Sequence, residues 1–188
     1  ERFRRQRQMC IRDSLCSTGV RIRRWRNEIP TKLQSRLRIT GNDLNDFALS
    51  WAINSHKSNL PDYTENIEMN HDRYGSMAQR LPVNGIYFQK MDAKLAMADA
   101  SYQWIDIDPF GSPVPFIDSA IQSLARTGML EVTATDTAAL TGSSLSSQKR
   151  RYGAQGIVDD YAHDDAVRVL LGMIAKTAAM HDRVIKPI

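Results

Sequence analysis

The feature of this sequence that most restricts its fold is the alternation of strand-like and helix-like segments, with an acidic residue at the end of each strand-like one. The order is strand, helix, strand, helix, strand, strand, helix, strand, helix. Alternation of this kind predicts an α/β fold with a mostly parallel sheet and helices on both faces. The 188 residues, 42% of them hydrophobic, are enough to bury the core of one domain.

The segments can be assigned from their hydrophobic periods and turn residues. The predicted strands are residues 9–15, 36–40, 85–91, 104–108 and 129–135, and the predicted helices are residues 21–30, 45–54, 116–128 and 163–182. Pro113 and Pro115 suit the entry to the third helix, and Gly128 is placed to end it. Residues 55–83 are predicted to be irregular and residues 142–160 to be a long loop. The apolar face predicted for the last helix is Ala166, Val167, Leu170, Leu171 and Ile174.

Basic charge is concentrated at the start of the chain. Residues 1–38 hold eleven Arg and one Lys against three acids, a net charge of +9, whereas the remaining 150 residues carry −5. This asymmetry suits a polyanionic partner, because Lys and Arg neutralise phosphates, but a poorly ordered basic tail explains it equally well. Residues 1–9 have no hydrophobic period and are interpreted as a basic extension of doubtful origin, separate from the domain.

Composition excludes several classes of protein. No run of about 18 apolar residues exists, so we expect no membrane association. The two cysteines, Cys10 and Cys16, are too few for a disulfide framework or a complete zinc site, so we expect no metal and a reducing, intracellular setting. A cytoplasmic location is expected, with a nuclear or mitochondrial one open in a eukaryote. No obligate protein partner is evident.

Acidic residues follow the predicted strands one after another. They are Asp13, Asp43, Asp92, Asp108 and Asp136. Because the carboxyl ends of parallel strands line a single crevice, which is the usual ligand site of an open α/β sheet, we expect these side chains to share one edge. Any one of them alone is more often a solvated turn residue. Their coincidence with successive strands predicts a binding site.

The turns at these strand ends favour an adenosine-containing ligand held without a pyrophosphate cradle. The small-residue turn SLCSTG contains Gly19, which lets the backbone approach a ligand closely, but its spacing is neither that of a P-loop nor GxGxxG. Asp43 is placed to accept hydrogen bonds from ribose hydroxyls. Asp92 with Ala93 is placed to receive an adenine edge, and Asp72 is the alternative acid. The combination indicates S-adenosylmethionine in preference to NAD or ATP.

The turn DPFG at residues 108–111 carries the features of a reactive site. An exocyclic amine on a nucleobase is a weak nucleophile, since its lone pair is delocalised into the ring. The Asp108 carboxylate and the Pro109 carbonyl can both accept hydrogen bonds from its N–H groups, and the fixed φ of proline restricts the movement of that carbonyl. Phe110 can stack on a flipped base, and Gly111 leaves room for it. The turn predicts in-line methyl transfer that depends on positioning and electrostatics.

These stretches resemble the tRNA (guanine-26 N2)-dimethyltransferase family of archaea and eukaryotes, which are class I S-adenosylmethionine-dependent RNA methyltransferases. The matching motifs run in family order over about residues 13–188 and are SLCSTGVR, NEIP, GNDLN, MDA, WIDIDPFGSPVPFIDSAIQ, GMLEVTATDTAALTG, RYGA, HDDAVRVLLGMIAKTAA and VIKPI. The resemblance implies a Rossmann-like sheet. It implies that the cofactor is bound by Arg21, Asp43, Asp92 and Ala93, and that the guanine amine is handled by Asp108, Pro109 and Phe110.

The resemblance also implies the limits of the domain. Residues 10–188 are expected to form an S-adenosylmethionine-dependent methyltransferase domain, with a candidate cofactor set of Asp13, Gly19, Arg21, Asp43, Asp92 and Ala93. The family has further segments before its first strand and after the KPI ending. We therefore expect the domain to be truncated at both ends, and these 188 residues alone to bind weakly or to be inactive.

The expected activity is transfer of methyl groups from S-adenosylmethionine to the N2 amine of guanosine in tRNA, at position 26. Two alternatives stay open. One is a non-catalytic cofactor- or RNA-binding fragment. The other is an amino-methyltransferase that acts on adenine N6 or on glutamine, whose DPPY- or NPPY-type turn differs from DPFG at the third position.

Overall fold

The structure is a computed structural model of the chain, and it describes residues 10–11, 14–15, 30, 38–57, 68–71, 77–80, 86–98 and 100–188. The described strands are β1 (Cys10–Ile11), β2 (Ser14–Leu15), β3 (Ile39–Asn42), β4 (Glu68–His71), β5 (Met77–Arg80), β6 (Ile86–Gln89), β7 (Tyr102–Ile107) and β8 (Leu124–Val132). The described helices are α1 (Asp46–Lys57), α2 (Ala93–Ala98), α3 (Val114–Ser123), α4 (Thr137–Leu140), α5 (Leu145–Tyr152) and α6 (Ala162–Ala179).

These strands form one sheet in the order β4-β5-β6-β3-β1-β7-β8, with β2 paired to β3. β3 is parallel to β2 and β6, and β7 is parallel to β8. β1 is antiparallel to both β3 and β7, so β3 and β7 run in the same direction. β5 is antiparallel to both of its neighbours. Six of the eight described strands therefore run one way, and the parallel pairs with their helices agree with the predicted α/β class. Three of the seven described pairings are parallel and four are antiparallel, so the described part of the sheet is mixed and not mostly parallel as predicted.

Strand β7 is covered on both faces. Its residues Ile105, Asp106 and Ile107 are all fully buried, and successive residues of a strand point to opposite faces of the sheet. Burial on both faces is typical of strands inside α/β sheets. The core that surrounds it combines strand residues with residues of α1, α2, α3 and α6, among them Ile39, Phe88, Ala52, Met97, Phe116, Ile117, Ile121 and Ile174.

Helix α3 begins as predicted but ends earlier. Pro113 precedes it and Pro115 lies in its first turn, where a missing N–H costs no hydrogen bond. Its buried residues include Phe116, Ile117, Ala120 and Ile121, whose spacing of one, three and four positions is that of one face of a helix. The helix ends at Ser123 because Leu124 already has extended backbone and pairs with the first residue of β7. Gly128 therefore lies inside β8, and its predicted role in ending the helix was wrong.

Two stretches predicted to be irregular contain regular structure. Residues 55–83 include the antiparallel pair β4 and β5, whose largely polar sequences lack the apolar alternation that marks a strand. Residues 142–160 include α5, which ends at Tyr152 and is followed by Gly153 with left-handed backbone, φ 64°. The last turn of α5 contains basic residues, whose positive charges are favourable there because the C-terminus is the negative end of the helix dipole. A glycine after a basic turn is the stop signal that could have predicted this helix.

Helix α6 agrees with its predicted range except for a few residues at its end. Ala166 and Ile174 are buried, but Val167 is 57% exposed, so its predicted place in the core was wrong. One residue along a helix turns the side chain by about 100°, which carries Val167 away from the face that buries Ala166. The predicted helix at residues 21–30 lies outside the described residues, apart from Pro30. No helix in the described ranges is long and apolar enough to cross a membrane.

The two faces of α6 provide a matched stability test. Ile174→Ala removes buried methyl groups from the core and should lower the free energy of unfolding by about 2–5 kcal/mol. Val167→Ala, also a truncation on this helix, should change it by less than about 0.5 kcal/mol because the side chain is exposed. Urea unfolding of the two variants measures both values. Equal losses would contradict the orientation of α6.

Candidate functional site

The carboxyl ends of β3, β6, β7 and β8 lie at one edge of the sheet, because these strands run in one direction. The acids that follow them are Asp43, Asp92, Asp108 and Asp136. The chain builds β3 and β6 on one side of β1 and then crosses to β7 and β8 on the other. A sheet that reverses its direction of growth has a crevice at the reversal, and ligands of open α/β sheets bind there.

Asp43 lies in a rigid turn between β3 and α1. The residue is 1% exposed. Its Oδ1 accepts a hydrogen bond from the Asn45 N–H at 2.8 Å, and its own N–H donates to the Gln89 carbonyl at 3.3 Å. Asn45 in turn begins α1, since its Oδ1 accepts from the N–H groups of Phe47 and Ala48 at 2.9 and 3.4 Å. The sequence GNDLN therefore fixes the Asp43 carboxylate beside a helix N-terminus.

Asp92, after β6, caps the following helix as Asn45 caps α1. Its Oδ1 accepts from the N–H groups of Lys94 and Leu95 at 2.9 and 3.4 Å, so it caps α2. Ala93, the first residue of α2, is fully buried. Because β6 is the parallel neighbour of β3, Asp92 and Asp43 emerge from adjacent strands. The alternative acid, Asp72, lies outside the described residues.

Asn42 connects these two turns, and the sequence reasoning missed it. Its Nδ2 donates to the Met91 carbonyl at 2.9 Å, which joins the end of β3 to the residue before Asp92. Its Oδ1 is buried and has no hydrogen-bond partner among the residues that the structure describes. A small recess is lined by Gly41, Asn42, Asp43, Leu49, Ala52 and Phe88. The signal that could have found Asn42 is its place as the last residue of a strand, directly before a candidate acid.

The DPFG turn follows β7 beside the reversal of the sheet. Asp108 is partly buried, Pro109 is buried and Phe110 is 51% exposed. Gly111 has a left-handed backbone with φ 89°, and no atom lies within 4 Å of where a Cβ would be added. Glycine is therefore favoured by the backbone angle and not by a lack of space. The turn presents a carboxylate, a held carbonyl and a half-exposed aromatic ring at consecutive positions.

The end of β8 holds this turn through a reciprocal pair of hydrogen bonds. The Gly111 N–H donates to Thr135 Oγ1 at 2.8 Å, and the Thr135 N–H donates to the Gly111 carbonyl at 3.0 Å. The Thr133 N–H also donates to the Ile107 carbonyl at 2.7 Å, so the pairing of β7 with β8 extends to the turn. Nothing in the local sequence of the turn indicated this partner, because Thr135 is 24 residues away.

Asp136, the acid after β8, is engaged on both carboxylate oxygens. Its Oδ1 accepts from the Tyr152 hydroxyl at 2.7 Å and its Oδ2 from Arg151 Nη1 at 2.9 Å, and its side chain is 7% exposed. Ser112 Oγ lies 3.1 Å from the Tyr152 hydroxyl oxygen. Burial raises the pKa of the Tyr152 phenol above its usual value, so the phenol keeps its proton and donates it to Asp136.

Three residues of the predicted cofactor set lie outside the described residues: Asp13, Gly19 and Arg21. The strand that precedes the SLCSTG turn, β2, is parallel to β3, so its carboxyl end faces the same edge as Asp43. Within the ranges that the structure describes, no three His, Cys, Asp or Glu side chains are grouped so that they could hold a metal ion.

Comparison with known proteins gives a consistent result. Residues 2–188 match the family model described as N2,N2-dimethylguanosine tRNA methyltransferase. A tRNA (guanine(26)-N(2))-dimethyltransferase of Methanocaldococcus jannaschii is 32% identical over 95% of this chain and 42% of the relative. The relative of the same name in Schizosaccharomyces pombe is 32% identical over 95% of this chain and 28% of its own length. The relative in Thermoplasma volcanium is 48% identical over 46% of this chain and 25% of its own length.

A solved structure is also similar to the chain. It is a complex of Trm1 from Pyrococcus horikoshii with S-adenosyl-L-methionine, with a TM-score of 0.71 and 30% sequence identity over 87% of this chain and 42% of that one. The chain thus spans less than half the length of each of these four proteins.

Two glycines allow the backbone of the DPFG turn to be tested. Gly111→Ala introduces a side chain at φ 89° and should lower the free energy of unfolding by about 1–2 kcal/mol. Gly172→Ala, inside α6 with equally open space around it, should raise the free energy of unfolding by about 0.5–1 kcal/mol. Urea unfolding distinguishes them. A stabilising Gly111→Ala variant would contradict the left-handed turn.

Proposed function

Because the chain belongs to the N2,N2-dimethylguanosine tRNA methyltransferase family, we propose that the complete protein transfers methyl groups from S-adenosylmethionine to the N2 amine of guanosine 26 in tRNA. The observation that carries the proposal is the DPFG turn, whose carboxylate and carbonyl lie at the same sheet edge as Asp43 and Asp92. Support comes from relatives named for this reaction, two of which align over 95% of the chain.

The acceptor groups at the ends of β3 and β6 suit S-adenosylmethionine. Ribose hydroxyls donate hydrogen bonds, and Asn42 and Asp43, two residues with acceptor oxygens in their side chains, are among the residues that line one recess. Leu49, Ala52 and Phe88 give that recess apolar walls, as small-molecule sites usually have. In the proposal, Asp43, Asp92 and Ala93 hold the nucleoside part of the cofactor. Asp13, Gly19 and Arg21 complete the set.

The DPFG turn is proposed to act on the amine. S-adenosylmethionine, when bound, supplies an electrophilic methyl group. The N2 amine of guanine needs help as a nucleophile, since its lone pair is delocalised into the ring. The Asp108 carboxylate and the Pro109 carbonyl would accept hydrogen bonds from its N–H groups, which favours a pyramidal nitrogen with an available lone pair. When the nitrogen gains the methyl group, the bond from that methyl group to sulfur breaks, and the nitrogen releases one proton to solvent. Proline fixes its own φ, and its burial holds the carbonyl in place.

Phe110 is proposed to receive the base. A guanine inside a stacked helix cannot present its amine to a pocket, so the base has to leave the stack. The half-exposed Phe110 ring, next in sequence to Pro109, offers an aromatic surface on which a flipped base can stack. The proposal favours guanine over adenine because the curated relatives are guanine enzymes and because the third position of the turn is Phe, not Pro.

The role of Asp108 is tested by an isosteric change in the complete protein. Asp108→Asn keeps the shape of the side chain but loses its charge, so methyl transfer to tRNA should fall by about 100-fold or more. The dissociation constant for S-adenosylmethionine, measured by calorimetry, should change less than about twofold. The matched control is Asp160→Asn, at an exposed residue outside the site, with unchanged activity. Full activity of Asp108→Asn would refute the proposed role.

The role of Asp43 has a different signature. Asp43→Asn keeps an oxygen for the Asn45 N–H but lacks the charge, so S-adenosylmethionine should bind about ten times more weakly. Asp159→Asn is the matched control, because Asp159 Oδ1 accepts the N–H two residues on at 2.9 Å in an exposed turn. It should leave cofactor binding unchanged. Calorimetry measures both, and equal affinities for the two variants would contradict the assignment of Asp43.

A further inference from the structure

Helix α5 is connected to the DPFG turn by side chains that the proposed reaction leaves unused. Tyr152 at the end of α5 donates to Asp136 Oδ1, and its hydroxyl oxygen lies 3.1 Å from Ser112 Oγ, directly after the turn. Arg151, its neighbour in α5, holds the other oxygen of Asp136 at 2.9 Å. Asp136 itself follows Thr135, which is bonded to Gly111 of the turn in both directions. The turn is thus held from two sides by groups that converge on Asp136.

The hydrogen bonds of this network have a defined direction. Burial raises the pKa of the Tyr152 phenol, so its proton is available for Asp136. Its oxygen can then accept from Ser112 Oγ, and the network runs from Ser112 through Tyr152 to Asp136. Asp136 donates nothing and accepts at both oxygens. Such a chain of bonds to a buried carboxylate fixes distances better than isolated neutral bonds do, because charge-assisted bonds are the stronger ones.

Helix α5 is a firm support for this network. Gln148, on the same helix, donates through Nε2 to the Leu140 carbonyl at 3.1 Å and accepts through Oε1 from the Gly156 N–H at 2.7 Å. Tyr152 is buried in a cluster with Ala139, Leu140 and Ala166. A shift of α5 that moved the Tyr152 hydroxyl would therefore break contacts with α4 and α6. Through its contact with that hydroxyl, Ser112 is held in position relative to α4 and α6.

We infer that Asp136 and Tyr152 are positioning residues for methyl transfer, which hold the DPFG turn in register through Thr135 and Ser112 and touch neither the amine nor the cofactor. The inference rests on the proposed function. Its chemical reason is that in-line transfer depends on the placement of the Asp108 carboxylate and the Pro109 carbonyl, and a displacement of about 1 Å can cost about 100-fold in rate.

The test is a double-mutant cycle on the turnover of the complete protein. Tyr152→Phe keeps the buried ring and removes only the hydroxyl, and Ser112→Ala removes the other end of the bond. Each should lower kcat for tRNA methylation by about tenfold to 100-fold. The dissociation constant for S-adenosylmethionine and the KM for tRNA should each stay within about twofold, because no binding group is changed. The control is Tyr161→Phe, the same change at an exposed tyrosine, which should leave kcat unchanged.

The coupling between the two substitutions separates positioning from a general loss of stability. If the bond between Ser112 and Tyr152 holds the turn, the double variant should lose no more kcat than the worse single variant. Multiplied losses, or an unchanged kcat in either single variant, would overturn the inference. Ser112→Ala keeps the test decisive if Tyr152→Phe does not fold. Failure of the proposed function is distinguishable, since the unaltered protein would then not methylate guanosine in tRNA at all.

Discussion

The common direction of β3, β6, β7 and β8 is the constraint on which the other features of this chain depend. It brings to one edge four acids that are separated by up to 93 positions in the sequence, from Asp43 to Asp136. Burial of β7 on both faces fixes the register, because a slip by one residue would exchange the sides of Ile105, Asp106 and Ile107. The register of β7 therefore fixes the position of Asp108, which follows the strand at the point where the sheet reverses its direction of growth.

The four acids differ in their surroundings and in the hydrogen-bond partners of their side chains. Asp43 and Asp92 each accept N–H groups of the turn or helix that follows, which fixes their carboxylates beside a helix N-terminus. Asp136 is held by two side chains of α5. At the DPFG turn, the N–H of Gly111, three residues after Asp108, is donated to Thr135. Asp108 is not placed to cap a helix, because α3 begins only at Val114.

This difference agrees with separate roles for the two parts of the edge, one in cofactor binding and one in binding the amine. The end of β3 lines a recess together with apolar residues of α1 and β6, and the end of β7 presents a carboxylate, a carbonyl and an aromatic ring. In the proposed reaction the first holds the cofactor and the second holds the amine. Strands on opposite sides of β1 carry the two halves, so the crevice between them is where the methyl group and the nitrogen would meet.

Features that depend on local pattern could be predicted from the sequence. The alternation of strands and helices along the chain, the acids that follow the strands and the prolines that open α3 follow from period and turn chemistry. Helix α5 was missed because its sequence LSSQKRRY has almost no apolar residues, although Gly153 marks its end. The partnership of Gly111 with Thr135 and that of Asp136 with Tyr152 join distant residues, and only the folded chain brings them together.

The most direct test of the central claim is mass spectrometry of the nucleosides of tRNA incubated with the complete protein and labelled S-adenosylmethionine. A sheet edge that holds the guanine amine against Asp108 and Pro109 predicts the label on the N2 amine of guanosine, at position 26. Label on the N6 amine of adenosine, or no label in tRNA from an active cofactor-binding preparation, would contradict the account.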